Sequence, residues 1–259
     1  MLWRSLLVLP LAAAAVEPGS GAASGFPVRI FQPQALVLEP FGIQLGLGQS
    51  SGQTEADLLH RAGFAVTVLR DAQVTVPIMR HLSNYSFVYI ETHVGPLPNN
   101  DAAVATDDTR RGQFAAYFSN YYLAQMRIAD SQTGIYQFYD AVTGRFIHRY
   151  DGAFPSHSII FLGSCNALDM PLFWRYLRKS GVSTLISWHH HVAGADADRA
   201  AQYVLTALAD GKSVGQAILA ARVAGVGQST VGNKVGWLSF SGDGMNTLLQ
   251  ARLGLPFGP

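Results

Sequence analysis

Six short stretches of consecutive apolar residues, separated by patterns that read as helices, constrain this chain more than any other feature. They are ALVLE (35–39), AVTVLR (65–70), FVYIE (87–91), SIIFLG (158–163), STLISW (183–188) and VGWLSF (235–240). A strand with one wet face alternates apolar and polar residues, whereas a strand apolar at successive positions is covered on both faces. Strands of that kind alternating with helices predict an α/β fold, a three-layer α/β/α sandwich around a mostly parallel six-stranded sheet. Helices are expected near Thr54–Ala62, Thr75–Ser83, Pro171–Ser180, Ala195–Leu208 and Ser213–Ala224. The last two are parted by Asp210–Gly211.

Composition then removes whole classes of function. Of 259 residues, 49% are hydrophobic and 14% charged, so the chain can bury a sizeable core and is not a charge-solvated disordered segment. Lys and Arg number 18 against 17 Asp and Glu, without a dense basic run, which argues against nucleic acid or an anionic membrane as partner. A single cysteine rules out an intrachain disulfide and any multi-cysteine metal site.

Residues 1–25, MLWRSLLVLPLAAAAVEPGSGAASG, read as a secretory signal and linker. Arg4 precedes an apolar run from Leu6 to Val16, and Ala13 and Ala15 fit the small −3 and −1 positions. The run is too short for a comfortable span of a bilayer, and no later segment reaches a spanning length. The expected location is secreted or periplasmic, or cytoplasmic if that segment is a mis-called start. Residues 26–259 are expected to form a single domain. Within it, 99–157 interrupts the strand–helix rhythm with a polar portion (Asp107–Arg111), an aromatic helix-like portion (Phe114–Met126) and a hairpin over 135–150 turning near Thr143–Gly144. An insertion of about 60 residues exceeds what a connection needs and reads either as a wall or lid of a site or as a decorated edge of the sheet.

In open α/β sheets ligands collect beyond the carboxyl ends of the strands. The third strand ends there in ETHVG, which places His93, and the fourth in GSCNA, which places Cys165. The fifth ends in WHHHVAG, with Trp188 and His189–His191. If the third and fourth strands are neighbours, a thiol and an imidazole share one crevice. A thiol beside an imidazole is how a sulfur nucleophile is activated, and the amides that follow, at Asn166 and Ala167, could stabilise an oxyanion.

SFVYIETHVG followed by SIIFLGSCNA resembles the two signature blocks of the caspase-like cysteine peptidase superfamily, which includes the caspases, gingipains, clostripain, separase, legumain and CHAT-type domains. The later stretches GVSTLISWHHHVAGADADRAAQYVLTALADGKSVGQAILAAR and WLSFSGDG are similar to gingipain and CHAT segments, so the resemblance spans about residues 35–248. It implies a caspase-like sandwich and a cysteine endopeptidase with Cys165 as nucleophile, His93 as general base and acid, and amides at Gly95 and Cys165 as the oxyanion site. No cofactor is implied, although calcium activates some relatives. The partner implied is a protein or peptide substrate. Two positions depart from the pattern: Val94 separates His93 from Gly95, and Gly163 stands where some relatives carry a specificity-setting acid. Glu39 and Asp196 or Asp198 are then the carboxylates left to meet a basic P1 side chain, with Gly163, Trp188 and His189 at the cleft.

Rival patterns are weaker. Three successive histidines in a strand alternate faces and do not converge on one metal ion, so no metal ligand is assigned. GLGQSS (46–51) lacks the third glycine of a dinucleotide fingerprint, and no GxSxG elbow is present. The alternative function is a catalytically silent caspase-like or CHAT-like module that binds a protein partner, with a metal-dependent hydrolase third.

Overall fold

The computed structural model describes residues 33–254, apart from 43, 46, 48–50, 110–120 and 130–132. The expected signal segment therefore lies outside the described residues. The elements in chain order are β1 (Gln34–Glu39), α1 (Ser51–Arg61), β2 (Ala65–Arg70), β3 (Phe87–Glu91), β4 (Val94–Pro96), β5 (Ala102–Ala105), β6 (Leu123–Ala129), β7 (Tyr136–Thr143) and α2 (Gly144–Tyr150). They continue with β8 (Ile159–Gly163), α3 (Pro171–Lys179), β9 (Thr184–His189), α4 (Gly194–Ala209), α5 (Val214–Val223), β10 (Gln228–Val231), β11 (Lys234–Gly242) and α6 (Leu248–Leu253).

All six apolar runs enter one sheet of order β10-β11-β9-β8-β3-β1-β2. From β9 to β2 every pairing is parallel; β11 pairs antiparallel with both β9 and β10. The period of two divides the runs of β1, β2, β3, β8 and β9 between two apolar clusters, whereas β11 buries Leu238 and leaves Val235 and Trp237 exposed. Val37, Tyr89, Phe161, Ile186 and Trp188 meet Leu59 of α1, Leu205 of α4 and Ile218 of α5. Leu36, Val88, Ile90, Leu162 and Leu185 meet Phe146 of α2 and Phe173 of α3. In those five strands both faces are covered, which is why their runs show no alternation. Each such large side chain, buried, contributes about 1.5–3 kcal/mol.

The sheet has seven strands, not six. The unforeseen one, β10, is the polar QSTV at the edge, where no second neighbour demands apolar residues. The helix expected over Thr75–Ser83 is instead a set of single 3₁₀ turns at Asp71–Gln73, Ile78–Arg80 and Leu82–Asn84. The β-branched run Val74–Val76 and Pro77 oppose an α-helix there.

Residues 94–143 supply a second sheet, antiparallel, of order β4-β5-β7-β6. Residues 123–126 are strand and 121–122 a turn, not helix, and residues 114–120 of the expected helix lie outside the described residues. Thr143–Gly144 is not a hairpin turn either, since β6 and β7 make the hairpin and Thr143 caps α2. Its Oγ1 accepts from the Phe146 amide (3.1 Å), while the buried Asp101 carboxylate accepts from the Gly144 and Arg145 amides (3.1 and 3.2 Å). These acceptors satisfy amides that a helix start leaves unpaired. Any Cβ at residue 144 would lie 2.8 Å from Asp101 Oδ1 and 2.9 Å from the Phe173 ring, so glycine alone fits. Among the described residues no helix is long and apolar enough to cross a membrane.

Candidate active site

β3 and β8 are adjacent and parallel, and their last paired residues are Glu91 and Gly163. His93 stands two residues beyond the first, Cys165 two residues beyond the second. The chain leaving β3 is pinned to β5: the Ala105 amide donates to the His93 carbonyl (3.0 Å), and Thr92 Oγ1 donates to the Ala105 carbonyl (2.8 Å). The His93 ring is half-buried against Phe41, centroids 5.3 Å apart, and neither ring nitrogen has a hydrogen-bond partner among the described residues. Burial pushes its pKa down, favouring neutral imidazole. Gly95 lies in β4, paired with Ala103 and facing Met126.

Cys165 is half-buried, and its sulfur is held by one residue of the loop after β9. The Val192 amide donates to Sγ at 3.3 Å, and the S–H donates back to the Val192 carbonyl at 3.6 Å. Burial pushes the thiol above its ordinary pKa. No hydrogen bond joins Sγ to His93. The next residue, Asn166, takes a left-handed φ of 58°, and its amide donates (2.8 Å) to the carbonyl of His190, itself at φ 60°. Two non-glycine residues in this region, each costing on the order of 1 kcal/mol, brace the turn that carries the thiol.

Carboxyl groups gather beneath the ends of β1 and β3. Glu39, Glu55 and Glu91 are all fully buried. Glu39 pairs with Arg70 at 3.0 Å, and its carboxylate fills the place a side chain at Gly52 would take. Glu91 accepts a hydrogen bond from the Tyr89 hydroxyl, yet burial pushes its pKa well up. Burial, reinforced by Asp198 and Glu39, pushes Glu55 up to about 9. Neither Glu55 oxygen has a partner within hydrogen-bond distance, and the backbone and the nearby Gln202 amide, which is directed at both oxygens of Asp198 (3.2 Å each), offset the rise only in part. Gly163 borders this group: a Cβ there would lie 3.1 Å from the Tyr89 hydroxyl and 3.5 Å from Glu91. Sequence reasoning singled out Glu39 and passed over Glu55 and Glu91. Glu91 had a readable signal, an acid closing an apolar strand just as Glu39 does.

The remaining candidates separate. Trp188 is fully buried in the core, with no hydrogen-bond partner for Nε1. Asp196, in the first turn of α4, is occupied by Arg199 (2.6 Å) and Ser229 Oγ (2.7 Å). His189 is held instead by a residue the sequence reading missed. Its Nδ1 lies 2.7 Å from Asp169 Oδ1, and its ring stacks on Trp237 at 5.2 Å. Asp169 also accepts from the His190 amide (2.8 Å), and these contacts hold its carboxyl below the usual range despite partial burial. It is the only acid between Asp151 and Asp196, four residues after the cysteine, which is the signal that could have found it. Among the described residues no three His, Cys, Asp or Glu side chains are grouped so as to hold a metal ion.

No protein-family model matches the sequence, and no curated protein sequence matches it. Among solved structures, the chain aligns with the Drosophila initiator caspase Dronc at a TM-score of 0.43 and 9% identity, covering 95% of this chain and 94% of that one. A likeness at that level does not carry an activity from one chain to the other.

Proposed function

We propose that this protein hydrolyses peptide bonds through Cys165, with His93 handling the protons. One observation carries the reading: the only cysteine and a histidine stand at equivalent positions, each two residues past the last paired residue of adjacent parallel strands. The thiol swings off the Val192 carbonyl, its proton passes to the imidazole, and the thiolate attacks the scissile carbonyl. The oxyanion that forms is met by backbone N–H groups near Cys165 and Gly95. Collapse expels the amine, which takes the proton from the imidazolium, and leaves a thioester. Water, deprotonated by the same ring, hydrolyses the thioester and restores the thiol. Positioning and general acid–base transfer contribute several kcal/mol each to such steps, and no cofactor is required.

The caspase-like sandwich, the bordering of the cleft by 99–157, secretion through residues 1–25 and a basic P1 preference belong to the same proposal. The last rests on the order of acids at the strand ends alone, because Glu39, Glu55 and Glu91 are fully buried, Glu39 against Arg70 and the other two with burial favouring the protonated form. A second reading, a silent module that binds a protein partner, is favoured by the resting thiol, which is protonated and bonded to Val192 rather than to His93. A peptidyl acyloxymethyl ketone with arginine at P1 separates the two. The peptidase reading expects a covalent adduct on Cys165, absent in Cys165→Ala and much slowed in His93→Ala. An unlabelled thiol, with no cleavage of a peptide library, supports the silent module.

A further inference from the structure

The residues around the thiol include a better-supported imidazole than His93. Acceptance of a proton creates an imidazolium, which burial disfavours and a carboxylate favours. His93 sits against Phe41 with no polar partner for either nitrogen. His189 has Nδ1 on the Asp169 carboxylate at 2.7 Å, which sets Nδ1 as the donor and leaves Nε2 with a lone pair, and Trp237 stacks on its face. A base oriented by a third group is the arrangement that activates nucleophiles in general.

The backbone brings this pair to the sulfur. Asp169 is in the turn that follows Cys165, and its amide donates to the Asn166 carbonyl (2.9 Å). Asn166, next to Cys165, donates its own amide to the carbonyl of His190, next to His189. Two residues on, Val192 grips Sγ through both its amide and its carbonyl. The loop after β8 and the loop after β9 are thus laced together on either side of the thiol, and the only acid in the first holds the imidazole that opens the second. Asp169 from the first loop and Trp237 from β11 contact the His189 ring, and both also contact the ring of His190.

We infer that His189 is a second proton acceptor for Cys165, acting across the crevice from His93, and that Asp169 is its positioning residue. This rests on the cysteine chemistry proposed above. On activation the proton leaves Sγ for Nε2 of His189, producing a thiolate and an imidazolium, while Asp169 remains ionised and stabilises the new charge. That proton is then available to the leaving amine.

Alkylation of Cys165 by iodoacetamide, followed by mass spectrometry from pH 6 to 9, tests the inference without a substrate. His189→Ala and Asp169→Asn are expected to react at least about tenfold more slowly than the unchanged protein at pH 7, with the gap narrowing as pH rises and a growing fraction of the thiol ionises unaided. A purely structural loss would persist across the whole range. His189→Gln, which keeps the size and a donor toward Asp169, serves should His189→Ala fail to fold, and is expected to be equally slow. If only His93→Ala slows the reaction, the inference is overturned and the peptidase proposal stands. If the unchanged protein reacts no faster than a free cysteine and no variant alters it, both fall.

Discussion

Replacing Glu55 with glutamine should change how stability depends on pH more than it changes the fold. The carboxyl is fully buried beneath the ends of β1 and β3, without a hydrogen-bond partner, and burial together with Asp198 and Glu39 raises its pKa from 4.5 to about 9. At pH 7 the folded chain therefore keeps a proton that the unfolded chain, with an ordinary glutamate, has released. The stability this group contributes is complete below about pH 4.5 and is lost as pH rises toward 9, at roughly 1.4 kcal/mol per pH unit. By pH 7 the loss is about 3 kcal/mol, and near pH 9 about 6 kcal/mol. Glutamine has nearly the same shape and does not titrate; its unpaired amide adds a penalty of about 1–3 kcal/mol that is constant with pH. Urea denaturation at pH 5, 6, 7 and 8 isolates the effect, because titrations common to both proteins cancel in the difference. Relative to the unchanged protein, Glu55→Gln should gain about 4 kcal/mol between pH 5 and pH 8. Stability curves that run parallel over this range would refute the neutral, buried carboxyl.

Other substitutions probe the same neighbourhood. Tyr89→Phe strips Glu91 of its hydrogen-bond donor and should lower stability by about 1–3 kcal/mol in denaturant titrations. Gly163→Ala presses a methyl group to within 3.1 Å of the Tyr89 hydroxyl and should cost about 1–3 kcal/mol, read as a lowered urea midpoint. Gly236→Ala is expected to be worse, about 3 kcal/mol or more, since its Cβ would lie 2.1 Å from the His191 carbonyl oxygen and backbone cannot yield as a side-chain end does. A melting temperature equal to that of the unchanged protein would contradict the close packing of β11 on the histidine loop.

The main sheet was legible because its causes are local and repeated. A strand covered on both faces must be apolar at successive positions, and each of the six such runs is a strand of that sheet. Elements whose causes lie elsewhere were misread. β10 is a polar edge strand whose hydrogen bonds come from β11. The start of α2 depends on Asp101, 43 residues from Gly144, so Thr143–Gly144 alone looked like a turn.

At the site the same division holds. Strand-end arithmetic places His93 and Cys165 on one rim, since each follows an apolar block in the chain. Direction of side chains is another matter, decided by packing across strands. Trp188 and His189 are consecutive, yet the pleat buries the first completely and hands the second to Asp169 and Trp237. Glu55 enters from a helix to join Glu39 and Glu91 from two strands, a meeting that no spacing along the chain announces. The amino-acid order determined which segments become strands and which chemistry stands at their ends. The tertiary structure alone decided which of those groups are neutral, which are paired and what holds the sulfur, because burial and charge act through space and not along the chain.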